Sequence, residues 1–465
     1  MKNHPGRSEV IQPIILAAGK GTRMKSRLPK VLQPLAGRPL LAYVLDAAQA
    51  VADVPPLVVI GYGSGQVQAR FDGPRWVLQG EQLGTGHAVQ QAAMHVADEA
   101  IALILYGDVP LVQPQTLKDL VSLVDENHPL ALLTVALEDP TGYGRIVRDQ
   151  HHQVVAIVEQ KDATPQQLAI REVNTGMMAV FGRQLKRWLA RLDNDNAQGE
   201  YYLTDIIRFC VEDGHEIHTT SPSLQLEVMG VNDKAQLAQL ERAWQRHQVD
   251  RLLAAGVTVA DSARLDIRGS VSVGQDVFID VNVVLEGDVH LADGVHIGPN
   301  CVLKDVSLGE NTQVHAFSHL QGCKTEPDVS IGPYARIRPD TTLAEGARVG
   351  NFVEIKQSAI GAGSKVNHLA YIGDTTMGAG VNIGAGVITC NYDGVNKHRT
   401  VIGDGAFIGS DSQLVAPVEV GEGATIGAGS TIVKNAPAQQ LTLSRAKQVT
   451  LKNWLSPKQR CKGDE

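Results

Sequence analysis

The sequence is poor in the features that mark several common classes of protein. Its five cysteines among 465 residues are scattered, and no two form a C-x-x-C pair. This indicates neither a disulfide framework nor a cysteine metal site, so we expect reduced thiols in a cytoplasmic protein. Aromatic residues make up only 4%, and the net charge is −8. A chain with this charge has no general field to attract nucleic acid.

Long apolar runs are also missing. The first nine residues are mostly polar, and the apolar stretch after them is interrupted by Pro13 and ends in a glycine-containing loop. This pattern does not predict a signal peptide, and we expect Met1–Ser8 to be disordered. No run of apolar residues is long enough to span a bilayer, so we expect no membrane association.

What the chain does have is length, 43% hydrophobic residues and 46 glycines. This length predicts two or three domains. Short apolar runs alternate with helical patterns over residues 1–231, which predicts an α/β, Rossmann-like domain with a largely parallel sheet. The strands are predicted at Pro13–Leu16, Leu57–Ile60, Ile101–Leu105 and Leu130–Leu137. Residues 232–255 then read as one connecting helix that ends at Gly256.

From residue 256 to residue 465 the apolar positions repeat every six residues instead. The repeat is clearest at Val271, Val277, Val283, Val289 and Val295, and it resumes after interruptions. Neither a helix nor a plain strand holds a period of six, whereas one flat side of a triangular coil does. The segment resembles the hexapeptide-repeat proteins, and this resemblance implies a left-handed parallel β-helix. Such a domain can be an acyltransferase or only a scaffold for trimer formation.

The first candidate site is the loop after the first predicted strand, Leu16-Ala17-Ala18-Gly19-Lys-Gly21-Thr-Arg23, with Lys30 soon after it. Its glycines let backbone N–H groups approach phosphate oxygens. Arg23 can stabilise charge on a transferring phosphoryl group, and Lys30 can hold a second phosphate. The string differs from the P-loop motif. It resembles the signature of sugar-nucleotide pyrophosphorylases.

Later segments match the same family, and the resemblance implies their roles. The segment with Gln79, Gly84 and Thr85 is similar to the nucleobase-binding segment, in which we expect His87 to be structural. Tyr106, Gly107 and Asp108 end a predicted strand, where a carboxylate is well placed for a ligand. Asp108 and Asn232 are identified as the Mg²⁺ ligands, since this ion keeps waters and takes phosphate oxygens as further ligands. The expected sugar-binding residues are Gly144, Glu159 and Asn174.

Polar residues also interrupt the hexapeptide region, and a scaffold does not need them. His368 is the histidine we expect to act, because Asn367, Tyr371 and Glu354 could position it. Residues 387–399 break the repeat, and a loop inserted into a solenoid usually serves function. With both halves in order, residues 8–455 resemble the bacterial family of bifunctional N-acetylglucosamine-1-phosphate uridylyltransferases and glucosamine-1-phosphate acetyltransferases.

The resemblance implies two reactions in the synthesis of UDP-N-acetylglucosamine, a precursor for peptidoglycan and lipopolysaccharide. Acetyl-CoA acetylates glucosamine-1-phosphate, with His368 as general base. The product, released into solution, then takes UMP from UTP with Mg²⁺, Arg23 and Lys30, and pyrophosphate leaves. The implied glucosamine-1-phosphate ligands are Arg338, Lys356, Tyr371 and Asn382. The implied acetyl-CoA ligands are Ala385, Asn391, Tyr392, Ser410, Ala428 and Arg445. The family also implies a homotrimer with acetyltransferase sites shared between chains.

Two other interpretations remain open at this point. The β-helix could be a scaffold attached to a single-activity nucleotidyltransferase, but His368, Lys356 and the Asn391-Tyr392 loop argue against that. Alternatively, the chain could be a non-catalytic protein that kept both folds. The intact first loop, together with Asp108 and Asn232, argues against this second alternative.

Overall fold

In the computed structural model, residues 10–196 and 198–460 are described. Backbone contacts divide the chain into two compact units, with the division between Trp244 and Gln245. Met1–Ser8, for which we expect disorder, lie outside the described residues, and so does Cys461. No helix among the described residues is long and apolar enough to cross a membrane.

The first unit alternates strands and helices along the chain. Its strands are β1 (Ile11–Ala17), β2 (Pro34–Leu35), β3 (Arg38–Pro39), β4 (Leu57–Ile60), β5 (Arg75–Leu78), β6 (Ile101–Tyr106), β7 (Leu130–Ala136), β8 (Arg145–Arg148), β9 (Val154–Val158), β10 (Glu172–Phe181) and β11 (His218–Thr220). Its helices are α1 (Leu40–Gln49), α2 (Ser64–Gln68), α3 (Thr85–Ala93), α4 (Pro114–Val121), α5 (Pro165–Leu168), α6 (Gly182–Leu189) and α7 (Asp205–Glu212). Short 3₁₀ turns lie at Thr22–Met24, Lys30–Leu32 and Gln225–Val228.

The main sheet has the order β11-β7-β10-β6-β1-β4-β5, and β8 and β9 extend it beside β10. β1 pairs in parallel with β4 and β6, β4 with β5, and β11 with β7. β10 runs antiparallel to β6, β7 and β8, and β8 pairs antiparallel with β9. All four strands predicted from the sequence are present, and four of the six pairings along this strand order are parallel.

Helices cover both faces of this sheet, which explains why its central strands are apolar throughout. Successive residues of a strand face opposite sides, and Ile14 and Ile15 accordingly belong to different cores. Ile15 packs with residues of α1 and α4, whereas Ile14 packs with residues of α3, α6 and α7. Because loops meet at the carboxyl ends of β1 and β6, this edge of the sheet collects the polar residues described below.

The predicted connecting helix is α8 (Lys234–Ala254). Its residue Gln245, fully buried, bonds twice to the backbone of the first coil of the second unit. The side-chain amide donates to the carbonyl of Ile267 at 2.9 Å and accepts from its N–H at 2.7 Å. The side chain therefore makes the two backbone hydrogen bonds that a neighbouring strand would make at the start of the coil.

The second unit is a coil of short parallel strands. They are β12 (Thr258–Val259), β13 (Leu265–Val273), β14 (Phe278–Ile279), β15 (Val283–Leu291), β16 (His296–Ile297), β17 (Val302–Leu308), β18 (Gln313–Val314), β19 (His319–Gln321), β20 (Cys323–Thr325), β21 (Ser330–Ile331), β22 (Arg336–Ile337), β23 (Thr341–Leu343), β24 (Arg348–Asn351), β25 (Glu354–Lys356), β26 (Ala359–Ile360), β27 (Lys365–His368), β28 (Tyr371–Gly373), β29 (Thr375–Met377), β30 (Asn382–Ile383), β31 (Ile388–Cys390), β32 (Thr400–Ile402), β33 (Phe407–Ile408), β34 (Gln413–Val415), β35 (Val418–Val420), β36 (Thr425–Ile426), β37 (Thr431–Ile432) and β38 (Leu441–Thr442). A short helix, α9 (Pro457–Arg460), follows the coil.

Equivalent residues on neighbouring coils are mostly 17 or 18 positions apart, which corresponds to about three hexads per coil. One aliphatic side chain from each side of a coil points inward, and Ile279, Ile297, Val314 and Ile331 are all fully buried. The step from Ile383 to its partner Ile408 is longer because the loop at 387–399 is inserted there. The fold class expected from the sequence, an α/β Rossmann-like domain followed by a left-handed parallel β-helix, is confirmed.

Candidate functional sites

The first site is a cavity of about 360 Å³ at the carboxyl ends of β1 and β6. Most of its walls come from residues that the sequence singled out. The predicted residues that line it are Leu16, Ala17, Ala18, Gly19, Lys30, Gln79, Gly84, Thr85, Tyr106, Asp108 and Asn232. Four further lining residues were not predicted, namely Val31, Gln82, Ala88 and Glu200.

The glycine loop opens directly onto this cavity. A Cβ atom placed on Gly19 would meet no heavy atom within 4 Å, so its backbone is open to a ligand. Gly21 has a φ of 58°, and a Cβ there would lie 2.8 Å from the Cβ of Lys30. Gly21 thus lets the loop pack closely against Lys30. Arg23 lies on the adjacent 3₁₀ turn with its side chain exposed, and it does not line the cavity.

Lys30, Asp108 and Asn232 meet in the cavity although they are far apart in the sequence. The ammonium of Lys30 forms an ion pair with Asp108 and donates to Oδ1 of Asn232 at 3.3 Å. Asn232 is held beside Asp108 by the backbone, because the N–H of Val231 donates to the Asp108 carbonyl at 3.0 Å. Two hard oxygen donors therefore converge on one cationic group. This is the donor chemistry that suits Mg²⁺ with phosphate and water as its remaining ligands.

Gln79 is fixed at another wall of the cavity. Its side chain is 3% exposed, and its amide nitrogen donates to the Gly84 carbonyl at 3.2 Å and contacts Nδ1 of His87 at 3.1 Å. His87 thus orients Gln79, which agrees with the structural role expected for it. Gly84 has a φ of 113°, and a Cβ there would lie 2.6 Å from the backbone oxygen of Tyr201. Only glycine fits this position without strain.

The expected sugar-binding residues do not line the cavity, but they lie together beside Tyr106. The N–H of Asn174 donates to the Gly144 carbonyl at 2.9 Å, and a Cβ on Gly144 would lie 3.4 Å from Glu159. The pairing of β10 with β7 shifts between Asn174 and Met178, an irregularity that redirects side chains at this point. Burial raises the pKa of Glu159, and burial together with the charges of Asp108 and Glu159 raises the pKa of Tyr106.

The second site lies on the β-helix around Lys356. Its side chain is 12% exposed, and the ammonium makes no hydrogen bond to the described residues. The closest acidic oxygen, on Asp374, is 3.6 Å away. Asp374 also accepts a hydrogen bond from the amide of Asn391, and that amide lies 3.4 Å from the hydroxyl of Tyr371. A buried cation without a full set of acceptors is suited to an anionic ligand.

A second lysine, Lys397, reinforces the positive charge at this point. Lys397 is exposed on the loop inserted at 387–399. Contact with Lys356, and the positive charge of Lys356, lower the pKa of Lys397. Two ammonium groups placed together favour binding of a phosphate. Nearby, Arg338 donates to Oε1 of Glu354 at 2.8 Å.

His368 is exposed at the end of β27. Its Nδ1 lies 3.2 Å from Oδ1 of Asn351, the residue directly opposite it on β24. One oxygen of Glu354 is bonded to Arg338, and the expectation that Glu354 orients the His368 ring stays a prediction. Asn382 lies on β30, the next strand after β27 in the same sheet.

The expected acetyl-CoA ligands follow one edge of successive coils. The carbonyl of Ala385 accepts from Asp411 at 2.8 Å, and the carbonyl of Ser410 accepts from Gly429 at 2.8 Å. Ala428 precedes Gly429, and the side chain of Arg445 passes within 3.8 Å of a Cβ position on Gly429. His368 begins the same column, since its carbonyl accepts from Gly386 at 3.4 Å. Tyr392 is 59% exposed in the inserted loop.

Sequence reasoning missed Asp374 and Lys397 at the second site. Asp374 has a φ of 51° at a corner of the coil, where aspartate is common for conformational reasons alone. An aspartate at this position therefore gave no separate indication of function. Lys397 could have been found, because it lies in the loop that interrupts the repeat. At the first site, Glu200 lies in a segment without a motif.

Comparisons with known proteins match both units and the whole chain. The family model for MobA-like NTP transferase domains matches residues 13–208, and the bacterial transferase hexapeptide model matches residues 270–305 and 399–434. The chain is 55% identical over 455 residues to the bifunctional protein GlmU of Bordetella parapertussis, covering 96% of this chain and 99% of that protein. It is 54% identical to the same-named protein of Aromatoleum aromaticum, covering 98% of this chain and all of that protein (100%).

Proposed function

Because the chain belongs to the family of bifunctional GlmU proteins, we propose that its two sites are the uridylyltransferase and acetyltransferase centres. The enzyme acts in the synthesis of UDP-N-acetylglucosamine and uses nucleotide and acetyl-CoA. We assign uridylyl transfer to residues 1–231, a connecting helix to residues 232–255 and acetyl transfer to residues 256–465. The convergence of Lys30, Asp108 and Asn232 in one cavity is the observation that carries the first assignment.

In the uridylyltransferase centre, the open backbone at Gly19 receives the phosphates of UTP and Gln79 binds the uracil edge. Thr85 and Gly84 line the nucleoside end of the cavity, while Gly144, Glu159 and Asn174 bind the sugar. Asp108 and Asn232 hold Mg²⁺, which neutralises phosphate charge when it is bound. Lys30, which contacts both of these residues, would bind a phosphate oxygen of UTP.

The reaction needs no nucleophile from the protein. A phosphate oxygen of N-acetylglucosamine-1-phosphate forms a bond to the α-phosphorus of UTP, and the bond from this phosphorus to the bridging oxygen breaks as pyrophosphate leaves. The residues contribute positioning and charge. Arg23 is exposed and outside the cavity, so its proposed role at the phosphates requires the glycine loop to close over UTP.

In the acetyltransferase centre, Lys356 and Arg338 hold the phosphate of glucosamine-1-phosphate, and Tyr371 and Asn382 contact the sugar. Lys397, beside Lys356, adds a second positive charge for this phosphate. The column formed by Ala385, Ser410, Ala428 and Arg445 binds acetyl-CoA, and Asn391 and Tyr392 border the acetyl group. The support for this assignment is the buried Lys356 ammonium, which lacks a hydrogen-bond acceptor within the described residues.

His368 acts as the general base of acetyl transfer. It removes a proton from the amine as the nitrogen attacks the thioester carbonyl, and the bond to sulfur breaks to release coenzyme A. Histidine suits this task because its ordinary pKa is close to neutral pH. Asn351 holds the ring from the neighbouring coil.

We further propose that the enzyme is a cytoplasmic homotrimer that completes each acetyltransferase site with a second chain. Of the residues expected to act there, His368, Ser410, Ala428 and Arg445 are exposed. Val449, Leu451, Trp454 and Leu455, in the segment after the coil, are exposed as well. Such apolar side chains fit a partner surface. Light scattering should give the mass of three chains. A monomer with full acetyltransferase activity would contradict the shared site.

The experiment that tests the proposed function mixes the purified protein with glucosamine-1-phosphate, acetyl-CoA, UTP and Mg²⁺. Free thiol should appear together with UDP-N-acetylglucosamine, and omission of acetyl-CoA should stop both. Omission of UTP should stop only the nucleotide sugar. A protein that makes nucleotide sugar from N-acetylglucosamine-1-phosphate but releases no thiol would leave the β-helix as a scaffold.

A further inference from the structure

We propose that His128, Glu216 and His218 form a binding site for a divalent transition-metal ion, of which Zn²⁺ is the best fit. The site lies at the outer edge of the sheet in the first unit. None of its residues belongs to the cavity around Lys30 and Asp108. It is therefore separate from the Mg²⁺ site proposed for uridylyl transfer.

The backbone brings these three side chains together. β11 is the edge strand of the sheet and pairs in parallel with β7, with His218 opposite Ala131. Ile217 is buried in the core, so Glu216 and His218 lie on the opposite side of this extended segment. His128 lies in the loop that leads into β7, so it reaches the same edge.

One atom from each side chain can contact a common ion. The candidate ligand atoms of His128, Glu216 and His218 all lie within 4.8 Å of one another. The two imidazole rings are stacked, with centroids 4.3 Å apart and planes 21° apart. For both nitrogens to point at one ion, a ring must turn about its outer side-chain torsion, which has a broad energy minimum. Both histidines are only half-buried, so they have room to turn.

Asp125 contacts His128 in the way that carboxylates contact metal-bound histidines. Nδ1 of His128 lies 3.2 Å and 3.4 Å from the two carboxylate oxygens of Asp125. The backbone N–H groups of Asn127 and His128 both donate to Asp125 at 2.7 Å. With Nδ1–H donating to the carboxylate, Nε2 of His128 is the nitrogen left for a metal. A carboxylate partner of this kind fixes the tautomer and makes the ligand more basic.

The ligand set determines the class of ion. Two imidazoles and one carboxylate suit Zn²⁺ and its neighbours Ni²⁺ and Cu²⁺, whereas Mg²⁺ and Ca²⁺ prefer oxygen ligands. Water would complete a four-coordinate site. A bound ion would tie the loop at Asp125–His128 to the edge strand. We infer that the site fixes this edge of the sheet and leaves both transfer reactions unchanged.

Zn²⁺ binding by the full-length protein, stripped of metal with a chelator and measured by calorimetry with ZnCl₂, tests this proposal. We expect one saturable Zn²⁺ site per chain that is lost in His218→Ala and in Glu216→Gln. Asp125→Asn should retain the site but lower its Zn²⁺ affinity by about tenfold, which is a typical effect of removing a partner carboxylate. Anomalous diffraction at the zinc edge should place the ion among the three side chains. All three variants should keep wild-type uridylyl transfer, which also shows that they fold.

Two controls separate this site from other zinc-binding groups. His151→Ala removes an exposed histidine elsewhere in the same unit and should leave Zn²⁺ binding unchanged. Asp108→Asn should also leave Zn²⁺ binding unchanged, because the ion does not bind in the nucleotide cavity. Equal affinity and stoichiometry in the wild type and in His218→Ala would overturn the proposal. So would loss of the ion in either control. Failure here would leave the two transferase assignments intact, since neither uses these residues.

Discussion

The two candidate centres are built in opposite ways. In the first unit, residues far apart in the sequence surround one cavity, in which Gln79 is 3% exposed and the side chain of Asp108 is 14% exposed. In the second unit, residues one coil apart stand in rows on the outside of a solenoid, and His368, Ser410 and Arg445 are all exposed. We therefore expect the first centre to be complete within one chain. On our proposal, the second centre presents one wall of a site, and a second chain completes it.

The largest expected effect is the loss of acetyl transfer at the second centre, with uridylyl transfer unchanged. His368→Ala should lower acetyl transfer by about 10²- to 10⁴-fold, because general-base catalysis contributes about that much. The decrease should be in kcat, with KM for acetyl-CoA nearly unchanged, when free thiol is followed under saturating substrate. Uridylyl transfer from added N-acetylglucosamine-1-phosphate serves as the control. A folded variant with more than about a third of wild-type turnover would show that another group accepts the proton.

The next largest effect is the loss of uridylyl transfer at the first centre, with acetyl transfer unchanged. Asp108→Asn removes the only carboxylate that contacts Lys30 among the described residues, and it should lower uridylyl transfer by about 10²- to 10³-fold. Pyrophosphate release measures the loss, and thiol release from acetyl-CoA should stay within about twofold of the wild type. If both activities fell together in a folded protein, the two centres would not be independent.

A backbone substitution sharpens the comparison, because the cavity wall at Gly84 depends on a close approach of two chain segments. Gly84→Ala should destabilise the first unit by about 1–3 kcal/mol and reduce uridylyl transfer, since φ is 113° and the new Cβ meets Tyr201 at 2.6 Å. Gly80→Ala is the matched control, since its Cβ would meet no heavy atom within 4 Å. Urea unfolding compares the two variants. Equal stability would mean that the tight turn at Gly84 is not required.

The smallest effect concerns the stability that the first centre gives up for function. Burial raises the pKa of Glu159, so the folded state favours the protonated carboxyl. Stability from this group is therefore present below its unfolded pKa and is lost as the pH rises through the higher folded value. At neutral pH, Glu159→Gln should stabilise the first unit by on the order of 0.5–2 kcal/mol and impair sugar binding. The gain should disappear in acid, as pH-dependent urea unfolding would show; an equal gain at every pH would contradict this cause.

The same contrast explains what could be predicted from the sequence. Periodicity was sufficient for the β-helix, because each coil repeats the inward aliphatic residue of the one before, as at Ile279 and Ile297. Motifs were sufficient for most cavity walls, because Gly19, Lys30 and Asp108 lie in recognisable strings. The partners of functional side chains were not predictable. Asn351 reaches His368 only because the coils are stacked in one register, which sequence spacing alone did not reveal.

The cluster at His128 and His218 illustrates this limit most clearly. The two residues lie 90 positions apart in the sequence, and neither belongs to a sequence motif with metal-ligand spacing. Only the parallel pairing of β11 with β7 brings them together. Contacts between strands that are distant in sequence depend on sheet order, which a single sequence does not specify.

The most direct test of two separate centres is to mix the two inactive variants. Neither Asp108→Asn nor His368→Ala should make UDP-N-acetylglucosamine from glucosamine-1-phosphate, acetyl-CoA, UTP and Mg²⁺ at an appreciable rate. If each centre works independently and the acetylated sugar phosphate is released into solution, the mixture should produce the nucleotide sugar after a lag, measured by chromatography. A mixture that stays inactive, while each variant retains its remaining activity when assayed separately, would contradict this account.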